Sequence, residues 1–356
     1  TTVVWSRGRI DWIGPDAEAD TSGAAVVDAA GASLLPGLID AHVHLCLDAT
    51  PGGVDGVAED PIDKVMARSI DNAARLLEAG ITSARDMGSR DGLAVRVAAA
   101  QRSGEITGAR IMAAGRGITP TGGHGWMIGV EADGPEAIAA AVSEEIARGA
   151  EVIKLFPTGG ILGTGSHGFD VVFTADELQA ACDTAHECGI PVAAHIHGPQ
   201  GIEMALDAGV DTIEHATGIT VEQARRAAAQ GIGLVPTLTG VDVLAGHSDE
   251  LPSDLLERAT EVGDIQAEGI RVAISEGARV LAGTDAGTPF NPPGLLVREM
   301  QLLAGLGLGN DGAIAAATSL SAETLGMDER GLLRPGAHAD LLLVDGDPLA
   351  DLAALA

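Results

Sequence analysis

Eight short apolar runs, separated by stretches of helical periodicity, constrain this chain more than any other feature. They are Leu34–His44, Ile81–Met87, Arg110–Ala114, Val152–Phe156, Val192–His197, Thr212–Thr217, Gly233–Leu238 and Arg279–Asp285. Runs of this length bounded by turn formers read as buried strands. The gaps carry helix signals. Ile62, Val65, Met66, Ile70, Ala73 and Leu77 form an i, i+3/i+4 stripe that stops at Gly80, and Thr174-x-x-Glu177 and Thr220-x-x-Gln223 read as capping boxes. Strands that alternate with helices imply a parallel sheet, and eight such units imply an α/β fold of the (β/α)8 TIM-barrel kind.

The flanks differ. Val3–Trp5, Arg9–Ile13 and Ala25–Val27 are short β-like pieces between turn formers, and the C-terminal end offers Leu341–Val344 before the turn Asp345-Gly-Asp-Pro348. A few strands bury little surface alone, so the two ends are expected to pair. The expected organisation is a small β-sandwich domain from residues 1–33 plus 336–356, with the barrel over 34–335. Both ends look cut short, because neither supplies enough strands to close a sheet.

The formal charge of −30 argues against nucleic acid or an anionic membrane as partner, since both need basic patches. No apolar run approaches the roughly 20 residues of a membrane span, and the N-terminus lacks a basic, signal-like lead, so a cytoplasmic protein is expected. Cys46, Cys182 and Cys188 have neither disulfide-framework nor zinc-finger spacing. With 2% aromatic residues and no tyrosine, a substrate pocket must draw its hydroxyl and aromatic contacts from Thr, Ser, His, Trp and Phe.

In barrels of this type reactive groups sit where strands end. The first run ends in His42-Val-His44, whose side chains share a strand face and can reach one ion together. The fourth carries Lys154, the fifth ends His195-Ile-His197, the sixth carries His215 and the eighth ends in Asp285. Taken singly these have bland readings: a core histidine, a surface lysine, a helix N-cap. Converging on one barrel mouth, they make a metal site.

Pro36-Gly-Leu-Ile-Asp-Ala-His-Val-His44, Thr121-Gly-Gly-His-Gly125, Val152-Ile-Lys154, Ala194-His-Ile-His-Gly198, Ile213-Glu-His215, Gly283-Thr-Asp-Ala-Gly287 and Ala339-Asp-Leu341 together resemble the amidohydrolase superfamily, in its imidazolonepropionase-like and prolidase-like branch. The resemblance runs nearly the full length. It implies two divalent metal ions, usually zinc: His42, His44 and Asp285 on one, His195 and His215 on the other, and Lys154 bridging both after N6-carboxylation by CO2. An ammonium has no lone pair, whereas its carbamate is an anionic bridge. His124 and His197 are expected to contact substrate.

The implied reaction is hydrolysis of a C–N amide bond in a small carboxylate-bearing substrate, a dipeptide or N-acyl amino acid. A metal-bridging hydroxide attacks, and Asp285 shuttles the proton to the leaving amine. The alternative is a lactonase, a phosphotriesterase, or an enzyme that opens or closes a cyclic amide in a biosynthetic pathway. A non-catalytic relative is disfavoured because all six expected ligands are present. The expected partners are a small-molecule substrate and further copies of the chain in a homo-oligomer. His167 and His247 lie in or near loops and are left open between facing the pocket and being plain loop residues, and His186 and His338 read as structural. Arg85 and Asp86 are left open between an ion pair and a substrate contact.

Overall fold

The computed structural model describes residues 1–161, 168–247, 250 and 253–356. His167 lies outside the described residues. The first seven barrel strands are Leu38–Val43, Ile81–Asp86, Arg110–Ala113, Ile153–Leu155, Val192–His197, Thr212–Thr217 and Gly233–Val235, and the short eighth is Arg279–Val280. The ladders are parallel, in two arcs: the first three strands, and the fourth to the eighth. Single backbone bonds join the arcs. Glu151 N donates to Ala113 O at 2.9 Å, Ala41 N to Ala282 O at 2.9 Å, and Asp285 N to His42 O at 2.8 Å. The ring is thereby closed with eight strands.

Helices fill the gaps as the periodicity requires. Ile62–Glu78 follows the first strand and buries Val65, Ala73 and Leu76. Both capping boxes form, at Thr174 for Ala175–Glu187 and at Thr220 for Val221–Gln230. Each satisfies two backbone N–H donors, those of the N-cap residue and of the third helical residue, that would otherwise be left open. The main core lies between the sheet and these helices and includes Leu38, Ile81, Ile153, Ala194, Ile213 and Leu234.

Three expected strands change shape. The run Leu34–His44 is two strands, because the chain changes partner at Gly37. Ser33–Pro36 pairs antiparallel with Leu341–Val344, and Leu38–Val43 enters the barrel. A Cβ at Gly37 would lie 2.1 Å from Thr82 Oγ1, so the crossing is made where no side chain intervenes. The run Gly233–Leu238 stops at Val235, and Leu238 opens the helix Leu238–Gly246. The run Arg279–Asp285 is a strand only over its first two residues: Leu281 N still donates to Leu234 O of the seventh strand, and from Ala282 on the backbone bonds to the first strand and to Ala316.

Thr2–Ser6 and Arg9–Gly14 form an antiparallel hairpin. It meets the C-terminal segment through Ile10 N to Ala337 O and Gly336 N to Ile10 O, at 2.9 and 2.8 Å. Two further short strands, Gly117–Thr119 and Gly129–Glu131, extend the sheet beside the fourth strand. No described helix is long and apolar enough to cross a membrane.

Candidate metal centre at the barrel mouth

The ends of the first and eighth strands bring together His42, His44 and Asp285, whose ligand atoms lie within 4.8 Å of one another. Nε2 of each imidazole is 3.4 Å from Asp285 Oδ1. The opposite ring nitrogens are occupied: His42 Nδ1 meets Glu214 Oε2 at 2.7 Å and His44 Nδ1 meets Gly88 O at 3.0 Å. Both acceptors require a proton on Nδ1, which leaves Nε2 as a bare lone pair. Asp285 reaches this place through left-handed backbone (φ 59°), unusual for a residue with a side chain. The segment that follows the eighth strand presses against the first: a Cβ on Gly283 would lie 3.0 Å from His42 Cβ.

A second trio, His195, His197 and His215, forms across the fifth and sixth strands, again with ligand atoms within 4.8 Å. His215 Nδ1 meets Thr237 Oγ1 at 2.6 Å, and His197 Nδ1 meets Thr217 Oγ1 at 2.8 Å. Thr237 Oγ1 also donates to Pro236 O, so it accepts from the imidazole and leaves His215 Nε2 bare. His195 is turned the other way. Its Nε2 meets Gly159 O at 3.0 Å, which frees Nδ1. His197 thus joins the two expected histidines of this half.

Burial sets the charge of these groups. It pushes His44 and His124 down to about 4 and His197 to about 3, and holds His195 and His215 well below the ordinary imidazole value. All five are neutral at pH 7, the form that ligates metal. Burial and Lys154 oppose protonation of His42, but its contacts with Asp285 and Glu214 raise it. Burial would raise the Asp285 carboxyl, and the neighbouring His42, His44 and His215 hold it well below the carboxylate range instead.

Lys154 stands near both trios. It is buried, 5.1 Å from the centroid of the Phe156 ring, and burial lowers its amine to about 8 against the pull of Glu214 and Asp285. Its Nζ and His42 Nε2 are buried with no hydrogen-bond partner. Native structures rarely leave such atoms orphaned, so the donor set fits a bound cation and a modified lysine.

The trios floor a cavity that is open at the mouth. Its other wall is apolar and includes Leu47, Val54, Met127, Ile128, Val241 and Leu244. His124 lines it too, 4.6 Å from the His195 ring and edge-on to Phe156. The loop after the fourth strand leans on that ring: a Cβ on Gly160 would lie 2.3 Å from His124 Cε1. The remaining described histidines are elsewhere. His186 pairs with Asp211 on the outer face, His338 sits beside Glu329, and His247 stacks on Phe290.

Arg85 and Asp86 are neither each other's partners nor part of the cavity wall. Arg85 bonds Glu214 Oε1 through Nη2 at 2.8 Å, while Asp86 accepts from the backbone of Leu45 and Gly88. Sequence reasoning missed Glu214, Thr217 and Thr237. For Glu214 a signal existed: strand alternation puts Thr212 and Glu214 on one face of an apolar strand, which buries a carboxylate.

A model of the amidohydrolase family matches residues 33–356. Ochratoxinase from Aspergillus niger is 28% identical over 355 residues, covering 90% of this chain and 71% of that protein. Imidazolonepropionase from Mycolicibacterium smegmatis is 26% identical over 376 residues, covering 96% of this chain and 84% of that protein. Among solved structures, a prolidase complexed with N-methylphosphonate-L-proline superposes with a TM-score of 0.90 at 30% identity, over 99% of this chain and 90% of that one. A Xaa-Pro dipeptidase with bound methionine in its active site gives 0.87 at 29%, over 99% and 91%.

Proposed function

Since the chain belongs to the amidohydrolase family, we propose that it is a binuclear metal-dependent enzyme that hydrolyses a C–N amide bond in a dipeptide or N-acyl amino acid. The observation that carries this is the pair of ligand trios around a buried, unpartnered Lys154 Nζ. His42, His44 and Asp285 would hold one divalent ion, His195 and His215 the other, and Lys154, carboxylated on Nζ, would bridge them. Such ions, zinc in our reading, would acidify a water and polarise the scissile carbonyl.

The chain's own groups supply the rest. An amine lowered to about 8 has an appreciable neutral fraction near pH 7, and only the neutral amine adds CO2. Asp285, ionised at neutral pH, takes a proton on its carboxylate from the attacking water and passes it to the leaving nitrogen. His197 and His124 donate hydrogen bonds to the substrate's carboxylate. The similarity to a prolidase and a Xaa-Pro dipeptidase supports the dipeptide reading. Residues 1–33 with 336–356 would be an accessory β-domain.

A second reading is favoured by the cavity wall itself. Among the described residues that line it, Lys154 is the only Lys or Arg, and His124 and His197 are neutral. A wall without a fixed cation beyond the metal floor suits a neutral lactone or phosphotriester. Steady-state kinetics on dipeptides and N-acyl amino acids, each with the carboxylate free and blocked as an amide, separates the two. The dipeptide reading requires kcat/KM to fall on blocking. Unchanged values, or turnover of lactones or phosphotriesters alone, would replace it with the second reading.

A further inference from the structure

Every imidazole of the metal floor leans on something behind it, and only one leans on a carboxylate. His44 and His195 back onto carbonyls, and His197 and His215 onto threonine hydroxyls. His42 backs onto Glu214, which is itself fully buried and saturated. Glu214 Oε1 accepts from Arg85 Nη2 at 2.8 Å and from Thr212 Oγ1 at 2.6 Å, while Oε2 takes His42 Nδ1 at 2.7 Å. Arg85 is fixed in turn by Nε to Ala41 O at 2.7 Å and Nη1 to Thr212 Oγ1 at 2.9 Å.

This relay crosses the barrel interior from the second strand to the sixth, beneath the first. It has a directional consequence. An ionised carboxylate only accepts, so it keeps a proton on His42 Nδ1 and, in the neutral ring that ligates metal, aims the Nε2 lone pair at Asp285 Oδ1, 3.4 Å away. Two acceptors facing each other repel until a cation sits between them. A buried ion pair is poor value as core stabilisation, because apolar residues of similar volume usually do as well. Its placement behind one ligand gives it another use.

We propose that Glu214, anchored by Arg85 and Thr212, is the positioning residue of the first trio: it locks the tautomer and ring orientation of His42 and thereby sets that trio's affinity for a divalent ion. The inference rests on the two-ion reading above. Carboxylates behind ligand histidines raise ligand basicity as well as fixing geometry, and losing one typically weakens metal binding by about 10–100-fold.

The test uses the full chain stripped with chelator and titrated with Zn2+, alongside ¹H–¹⁵N spectra of the imidazoles in the metal-free state. Wild type should show His42 protonated on Nδ1. Glu214→Gln should weaken one ion by about 10–100-fold and leave the other near its wild-type value. Because a lone buried Arg85 could unfold the single variant, Arg85→Met/Glu214→Gln is made beside it, with the metal-free Tm read for each. The double variant should fold and bind as weakly as the single one. Variants that lower Tm but keep both affinities within twofold of wild type, and a His42 tautomer that does not depend on Glu214, overturn the proposal and make the relay core support. A wild type that binds two ions in that same experiment shows that only this inference has failed. A wild type that takes up no ion overturns the two-ion reading, and this one with it.

Discussion

The two halves of the metal floor are built from the same residue type and held in different ways. The half at His42, His44 and Asp285 contains a carboxylate and is backed by a second one, Glu214, with Arg85 behind it. The half at His195, His197 and His215 contains three imidazoles backed by two hydroxyls and a carbonyl. Charge-assisted hydrogen bonds are roughly twice as strong as neutral ones, so the first half is rigid and anionic while the second is neutral and more easily re-aimed. On the two-ion reading proposed above, one trio would keep its ion and the other would share its ion with substrate.

The largest expected effect comes from the residue common to both halves. Lys154→Ala should reduce activity to background and lower occupancy on both sides, and added short carboxylic acids should restore part of each. Full activity in that variant would mean that the halves do not depend on a bridge. Asp285→Asn strikes the first half alone. Turnover should drop by about 10²–10⁴-fold while most metal stays bound, measured by elemental analysis beside kcat. A variant that loses metal and activity in parallel would make Asp285 a ligand without a proton-transfer role.

Thr237→Val removes the hydroxyl behind His215, which is a neutral contact. It should weaken one ion by less than about 10-fold, clearly below the Glu214 effect. Equal losses for the two would erase the distinction between the halves. An effect on stability and not on metal binding lies further out, at Glu299, whose carboxylate accepts from Leu238 N, Thr239 N and Thr239 Oγ1 at the helix start beside Thr237. Burial pushes its carboxyl up to about 7 against those three bonds.

The sign follows from the raised value. The unfolded chain releases the Glu299 proton near pH 4.5 and the folded chain holds it to about 7. Wild type therefore loses stability relative to Glu299→Gln as pH rises through that window, by up to on the order of 3 kcal/mol, with no further change above it. Denaturant melts of both proteins at pH 5 and pH 7.5 measure the difference. A constant gap between them would mean that Glu299 is ionised throughout.

Much of this was legible before any coordinates. The strands Val192–His197 and Thr212–Thr217 begin and end where the sequence places them, because each is buried along its whole length and bounded by turn formers. His42, His44, Lys154, His195, His215 and Asp285 meet because strands of a closed parallel barrel end on one side. What stayed hidden was local backbone. His215 and Ala216 adopt φ of 69° and 49°, which breaks strand alternation and turns His215 inward one residue after Glu214. Pattern reading assigns such neighbours to opposite faces, and so sees the ligand and not the carboxylate beside it. Asp285 lies on similar backbone, which is why a straight strand through residue 285 failed as a description while the residue's destination held. Thr217 and Thr237 had no signal, since a threonine behind a histidine looks like any other strand-end threonine.

The contact between Gly160 and the His124 ring reaches beyond structure. With no room for one added carbon, the loops after the third and fourth strands are meshed at the cavity wall. Diversity introduced into one loop will therefore read out through the other: Gly160→Ala displaces His124 without mutating it, and a single-loop library would credit the wrong residue. Retuning this enzyme toward a new substrate is a two-loop problem, in which the size of residue 160 is chosen together with the residue at 124.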